Sequence, residues 1–169
     1  MLGRARRFLL LAACVACLTC AGRAAAVAPE IKDGGKFFSE DAVKKANEQI
    51  REIARKYDKD LLVETFMTVP DDKAEKVKAM SREERNKFFD EWARQRAEKA
   101  VVNGVYILVT KEPAHVHVEI AGKAGSALTP AFREKIVERL LEDFRAKKFD
   151  EGLQGAVKLV QERLASAGK

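Results

Sequence analysis

The chain reads as an α/β (α+β) sandwich: a small mixed sheet with one parallel strand-helix-strand crossover and one hairpin, covered by about four long helices. Three observations predict it. Long stretches with apolar residues at helical spacing alternate with apolar runs of strand length. Residues 61–69 (LLVETFMTV) and 105–110 (VYILVT) are largely apolar on both faces, as strands buried between layers are. A four-residue link, Lys111-Glu112-Pro113-Ala114, joins the second run to a third, which implies an antiparallel pair.

The elements follow in order. Residues 27–38 contain Pro29 and Gly34-Gly35 and are expected as an extended lead-in to a single domain over residues 39–166. Ser39 caps a first helix, with Glu40 and Asp41 in the first turn, where the helix dipole favours acids. Val43, Ala46, Ile50, Ile53, Ala54 and Tyr57 give it an apolar stripe. The first strand ends at Pro70-Asp71-Asp72, and a short helix is expected from Lys73 to Met80. Ser81-Arg82-Glu83-Glu84 is a capping box that opens a long helix with Phe88, Phe89, Trp92 and Ala93 inward. The crossover from this first strand to the second should be right-handed. In the third strand His115, His117 and Glu119 share one face, and Val116, Val118 and Ile120 the other. Thr129-Pro130 starts a helix with Phe132, Ile136, Leu140 and Phe144 inward. Asp150 is expected to cap the last helix.

Residues 1–26 have a different character. Arg4, Arg6 and Arg7 precede an uncharged run from Phe8 to Ala21, and small residues follow up to Ala26. A basic start, an apolar middle and a small-residue exit are the three parts of a secretory signal peptide. The run is shorter than the roughly 20 residues a membrane span needs. Export to the periplasm or extracellular space is therefore expected, with the mature chain starting near Val27. A rival reading takes Leu11-Ala12-Ala13-Cys14 as a lipoprotein cleavage box, with Cys14 lipidated. Cys14, Cys17 and Cys20 all lie in this leader, so the exported chain is expected to be cysteine-free.

The formal charge is +6, but four of the 32 basic residues and none of the 26 acidic ones fall within residues 1–26, which leaves the remainder at +2. The remaining Lys and Arg are interleaved with Glu and Asp, as on solvated helix faces, so no nucleic-acid partner is expected. No transmembrane span is expected in the mature chain.

From Leu61 onward the chain resembles the TPM-domain family, which includes a thylakoid-lumen acid phosphatase, a photosystem II repair factor and exported bacterial proteins. The resemblance covers about residues 36–165. It is carried by the strand 62–69, by Phe88-Phe89 and Trp92, and by Asn103-Gly104-Val105-Tyr106-Ile107-Leu108-Val109. The strand 115–120 running into Ala121-Gly122, then Ala127-Leu128-Thr129, and later Phe149-Asp150-Glu151-Gly152-Leu153, complete the pattern. The chain departs from it at Val102, where the family usually has an acid. It departs again at Ala121-Gly122-Lys123-Ala124-Gly125 and Leu128-Thr129-Pro130, where a further Gly and a helix-opening Asp are usual. The resemblance implies either a binding or assembly factor for envelope or membrane-associated proteins, or a metal-dependent phosphatase. The lost acids weaken the second, because phosphoryl chemistry on hard cations needs convergent carboxylates.

The candidate site residues are few. Asn103-Gly104 suits a sharp turn in left-handed backbone, with the Asn amide facing a ligand; the plainer reading is a helix C-cap. His115, His117 and Glu119 form a possible zinc or copper set, or else a solvent-facing stripe on an edge strand. Asp71 and Asp72 follow the carboxyl end of the first strand, where α/β folds place ligands. Together with Asp150 they are the candidate ligands for a divalent cation such as calcium. There is no Gly-x-Ser-x-Gly elbow and no phosphate-binding Gly-rich loop.

Overall fold

A computed structural model describes residues 28–123 and 127–167. The leader with Cys14, the loop residues 124–126 and the last two residues lie outside the described residues. The elements are β1 (Lys32–Asp33), α1 (Glu40–Tyr57), β2 (Asp60–Thr68), α2 (Asp71–Ala79), α3 (Arg82–Lys99), β3 (Gly104–Glu112), β4 (His115–Ile120), α4 (Pro130–Arg145) and α5 (Phe149–Ala167).

The sheet order is β1-β2-β3-β4, with β1 and β3 parallel to β2 and β4 antiparallel to β3. The mixed sheet, the crossover through α3 and the hairpin match the expected fold class. Alternate residues of the central strands point to opposite faces and build two cores. Leu61, Val63, Val105, Ile107 and Val109 face α1, α4 and α5. Leu62, Tyr106 and Leu108 face α2 and α3, meeting Val77, Phe89, Ala93 and Ala97. Burying each such aliphatic or aromatic side chain is worth roughly 1.5–3 kcal/mol, so the sheet is held from both sides.

Local chemistry explains the helix starts. The Ser39, Ser81 and Thr129 side chains each accept a backbone N–H from the first turn, and Ser81 with Glu84 closes a full capping box. Three expectations are corrected. The lead-in contains β1, whose Lys32 and Asp33 lie opposite Glu64 and Thr65. The Asp33 carboxylate accepts the N–H groups of Phe37 (3.0 Å) and Phe38 (2.9 Å), so the loop after β1 folds back on the strand. Asp150 is not a cap: Gly152 N–H already bonds to the Lys148 carbonyl, so the chain is helical before Asp150 is reached. The left-handed residue expected at Asn103-Gly104 lies earlier, at Val101 (φ 54°), because the end of α3 closes there.

Candidate functional site

Asn103 and Gly104 sit at the start of β3, where they tie three strands together. Asn103 N–H donates to the Asp60 carboxylate (2.8 Å), and the Asn103 carbonyl accepts Asp60 N–H (3.0 Å). The side-chain amide donates to the Asp58 carbonyl (3.1 Å), and its oxygen accepts Lys123 N–H (3.0 Å). Both ends of the amide are therefore used inside the fold. A Cβ on Gly104 would lie 2.2 Å from the Asp60 carbonyl oxygen, so this position admits only glycine.

The other candidates do not gather around this point. Asp71 and Asp72 lie in the first turn of α2, exposed, beyond the far end of β2. Since Asp60 is opposite Gly104 and Thr68 opposite Glu112, the length of a nine-residue strand separates Asp71 from Asn103, about 26 Å. Asp150 accepts the backbone N–H of Ser39 (2.9 Å), joining the start of α5 to that of α1.

His115, His117 and Glu119 line the α3 side of β4, but they are not a solvent-facing stripe. The His115 ring stacks on Phe89 with centroids 3.8 Å apart. Burial, with a smaller contribution from the neighbouring His117, lowers its pKa to about 4. His117 is only 9% exposed. Its Nδ1 is 3.2 Å from the Asp90 carboxylate of α3, and its Nε2 is 3.5 Å from that of Glu119. The geometry at Nε2 makes no hydrogen bond, which leaves a buried ring nitrogen unsatisfied. Among the described residues, no group of three or more His, Cys, Asp and Glu side chains is arranged to hold a metal ion.

His115 and His117, but not Glu119, line a cleft of about 420 Å³. Its floor is β4, from His115 to Val118. One wall is Asn86 and Asp90 of α3, and the other is Arg133, Glu134, Val137 and Glu138 of α4. The cleft is thus polar, net acidic, and built on one edge of the sheet.

A second cluster was not anticipated. Glu64, in the middle of β2, is 1% exposed. Its carboxylate accepts the Tyr106 hydroxyl (2.7 Å), the Lys32 ammonium (2.9 Å), and both Nε and Nη2 of Arg96. Burial would raise its pKa, but hydrogen bonds from Arg96, Tyr106 and Lys32 outweigh that and hold it at about 2. Burial and the Glu64 carboxylate push the Tyr106 phenol well above its ordinary range. Arg96 also lies 4.8 Å over the Phe66 ring. Two cations and a neutral phenol share one carboxylate, which is fully used, and this makes the network a fastening between β1, β2, β3 and α3. The one signal in sequence was a lone acid in a strand otherwise buried on both faces, since such a charge must find partners. Asp90 carried no comparable signal.

The TPM domain pattern matches residues 31–163 of the chain. Two solved structures share the fold. One is the N-terminal domain of a protein from P. gingivalis, with a TM-score of 0.62 and 19% identity, covering 81% of this chain and 82% of that one. The other is the N-terminal domain of a protein from Corynebacterium glutamicum, with a TM-score of 0.54 and 12% identity, covering 83% and 80%. No curated protein matches the chain.

Proposed function

The chain belongs to the TPM-domain family, and on that premise we propose that it is an exported binding or assembly factor for envelope or membrane-associated proteins. The observation that carries this reading is the edge cleft: β4 lies at the border of the sheet and floors an acidic groove between α3 and α4. Such an edge offers backbone donors and acceptors to a partner. The dispersal of the acids supports it too. Asp71 and Asp72 stand a strand length from Asn103, and the Asp150 carboxylate is engaged with Ser39. The leader pattern of residues 1–26 supports export.

The test is an assay against the hydrolase alternative. The purified protein is offered a chromogenic phosphomonoester with calcium, magnesium or zinc, beside an Asp150→Ala variant. No turnover above the metal-only blank is expected. Metal-dependent turnover that the variant loses would overturn the binding-factor reading. Export is checked by mass spectrometry of the natural N-terminus. A start near Val27 is expected, a lipid-bearing Cys14 would place the protein on a membrane surface, and an intact Met1 would sink export.

A further inference from the structure

We propose that the outer edge of β4 takes up an extended peptide segment with basic side chains, which joins the sheet as a fifth strand. This rests on the binding-factor reading and names the surface and the chemistry of the partner. The register fixes which backbone groups are on offer. Ala121 N–H donates to the Gly104 carbonyl (2.9 Å), and Tyr106, Leu108 and Thr110 lie opposite Glu119, His117 and His115. Groups on alternate residues of an antiparallel pair point the same way. His115, His117 and Glu119 therefore bond toward β3, while Val116, Val118 and Ile120 turn their N–H and C=O outward. Among the described residues no strand follows β4 in the sheet.

The cleft selects what such a strand can carry. Val116 and Val118 both line it. On the α4 side, half-buried Val137 provides apolar contact, with the exposed Glu134 and Glu138 at the rim. On the α3 side stand Asn86 and Asp90. Three acids on the flanking helices against the single Arg133 favour a basic strand, because complementary charge across an interface steers a partner in and like charge repels it. At the floor of the cleft the His117 Nδ1 lies 3.2 Å from the Asp90 carboxylate, which holds this acid over the edge of β4. A second copy of the chain is the wrong occupant. Pairing β4 with β4 about a two-fold axis would set Asp90, Glu134 and Glu138 of one copy against the same acids of the other.

The probe is a blocked hexapeptide, Lys-Val-Lys-Val-Lys-Val, titrated into the full chain and followed by amide NMR. Saturable shifts centred on Val116, Val118 and Ile120 are expected. The Glu-Val-Glu-Val-Glu-Val counterpart should bind at least about tenfold more weakly, which corresponds to about 1.4 kcal/mol. N-methylation of one alternating set of residues should abolish binding while methylation of the other set leaves it, because only every second N–H faces β4. A Glu134→Lys/Glu138→Lys variant, changed at two exposed positions, should narrow or invert the charge preference. The proposal is overturned if no shifts appear at these amides, or if the acidic peptide binds as well. It is equally overturned if both methylated peptides bind, or if the same amides shift with protein concentration alone, which would identify a second copy. Phosphomonoester turnover would remove the binding-factor reading and leave this result standing. Loss of peptide binding without turnover removes only the assigned surface.

Discussion

One buried and one half-buried ionisable side chain make this protein sensitive to acid, and each acts over its own pH range. Glu64 has a folded-state pKa of about 2, well below that of an unfolded glutamate, so its contribution is complete above about pH 4.5. That contribution, about 3 kcal/mol, is lost as pH falls toward 2. Urea unfolding at pH 6 and pH 3 should therefore show a steep loss in the natural protein. Glu64→Gln should be less stable at pH 6 yet lose less between the two, because amide and carboxylate differ only while the acid is ionised. Equal losses would mean that Arg96 and Lys32 do not hold the charged form. His115 acts at higher pH. Its folded pKa of about 4 lies below the unfolded value near 6.5. The neutral ring on Phe89 thus stabilises the fold above pH 6.5, and this is lost as pH falls toward 4. His115→Phe should flatten the stability profile over that interval. Ring-proton NMR of the natural protein should show no titration of His115 at neutral pH, and a midpoint near 6.5 would refute the half-buried placement.

Helix ends are where this sequence has most room for improvement. Asp58, Val101 and Lys147 close α1, α3 and α4 in left-handed backbone, and none is glycine. Val101 is the costliest, since a β-branched side chain crowds its own carbonyl there, and it is 82% exposed with no burial to compensate. Its position is otherwise well formed: Val102 N–H bonds to the Ala97 carbonyl and Val101 N–H to that of Glu98, the pattern that glycine usually completes. Val101→Gly should raise stability by about 1 kcal/mol, read as a higher urea midpoint with unchanged slope. A lower midpoint would show that the extra freedom of unfolded glycine outweighs the relief. The same contrast explains what was legible. The helix starts were readable because Ser39, Ser81 and Thr129 reach backbone groups three residues away. β1 was not, because a two-residue strand carries no period and pairs with residues 32 positions later. Asp150 resembled a cap, but the close of α4 runs straight into α5 and leaves it no capping position. For the site, residue types were readable and their surroundings were not. His115 and His117 stood out as an alternating pair, yet only the passage of α3 over the strand brings Asp90 and Phe89 to them.

At the scale of the whole molecule, the sheet sits between two unlike layers. The α1-α4-α5 layer is deep and aliphatic, with Ile136, Leu140, Val157 and Val160 against the strands. The α2-α3 layer is thinner and carries both the ion network and one wall of the cleft. Thinness alone would suggest that α2 and α3 detach first, taking the cleft with them. The covalent and electrostatic geometry argues otherwise. β2 and β3 supply alternate residues to both cores, so neither layer can leave without exposing the backs of the same two strands. Arg96 also fastens α3 to Glu64 in the middle of the sheet, and Lys32 fastens β1 to the same carboxylate. Freeing α3 would break the charge-assisted hydrogen bonds from Arg96 to Glu64, worth about 1.5–3 kcal/mol each, in addition to exposing those apolar strand backs. The molecule should therefore unfold as one unit. Phe89→Ala in the thin layer should cost about 3–5 kcal/mol and Ile136→Ala in the deep layer about 2–5. Both should shift one urea transition to lower concentration without changing its slope. Tryptophan fluorescence from Trp92 reports on α3, and far-UV dichroism reports on the whole chain. Coincident transitions by the two probes are expected in both variants. A fluorescence transition that precedes the dichroism change in Phe89→Ala would show that the α3 wall of the cleft opens on its own, and that the Glu64 network is too weak to couple it to the sheet.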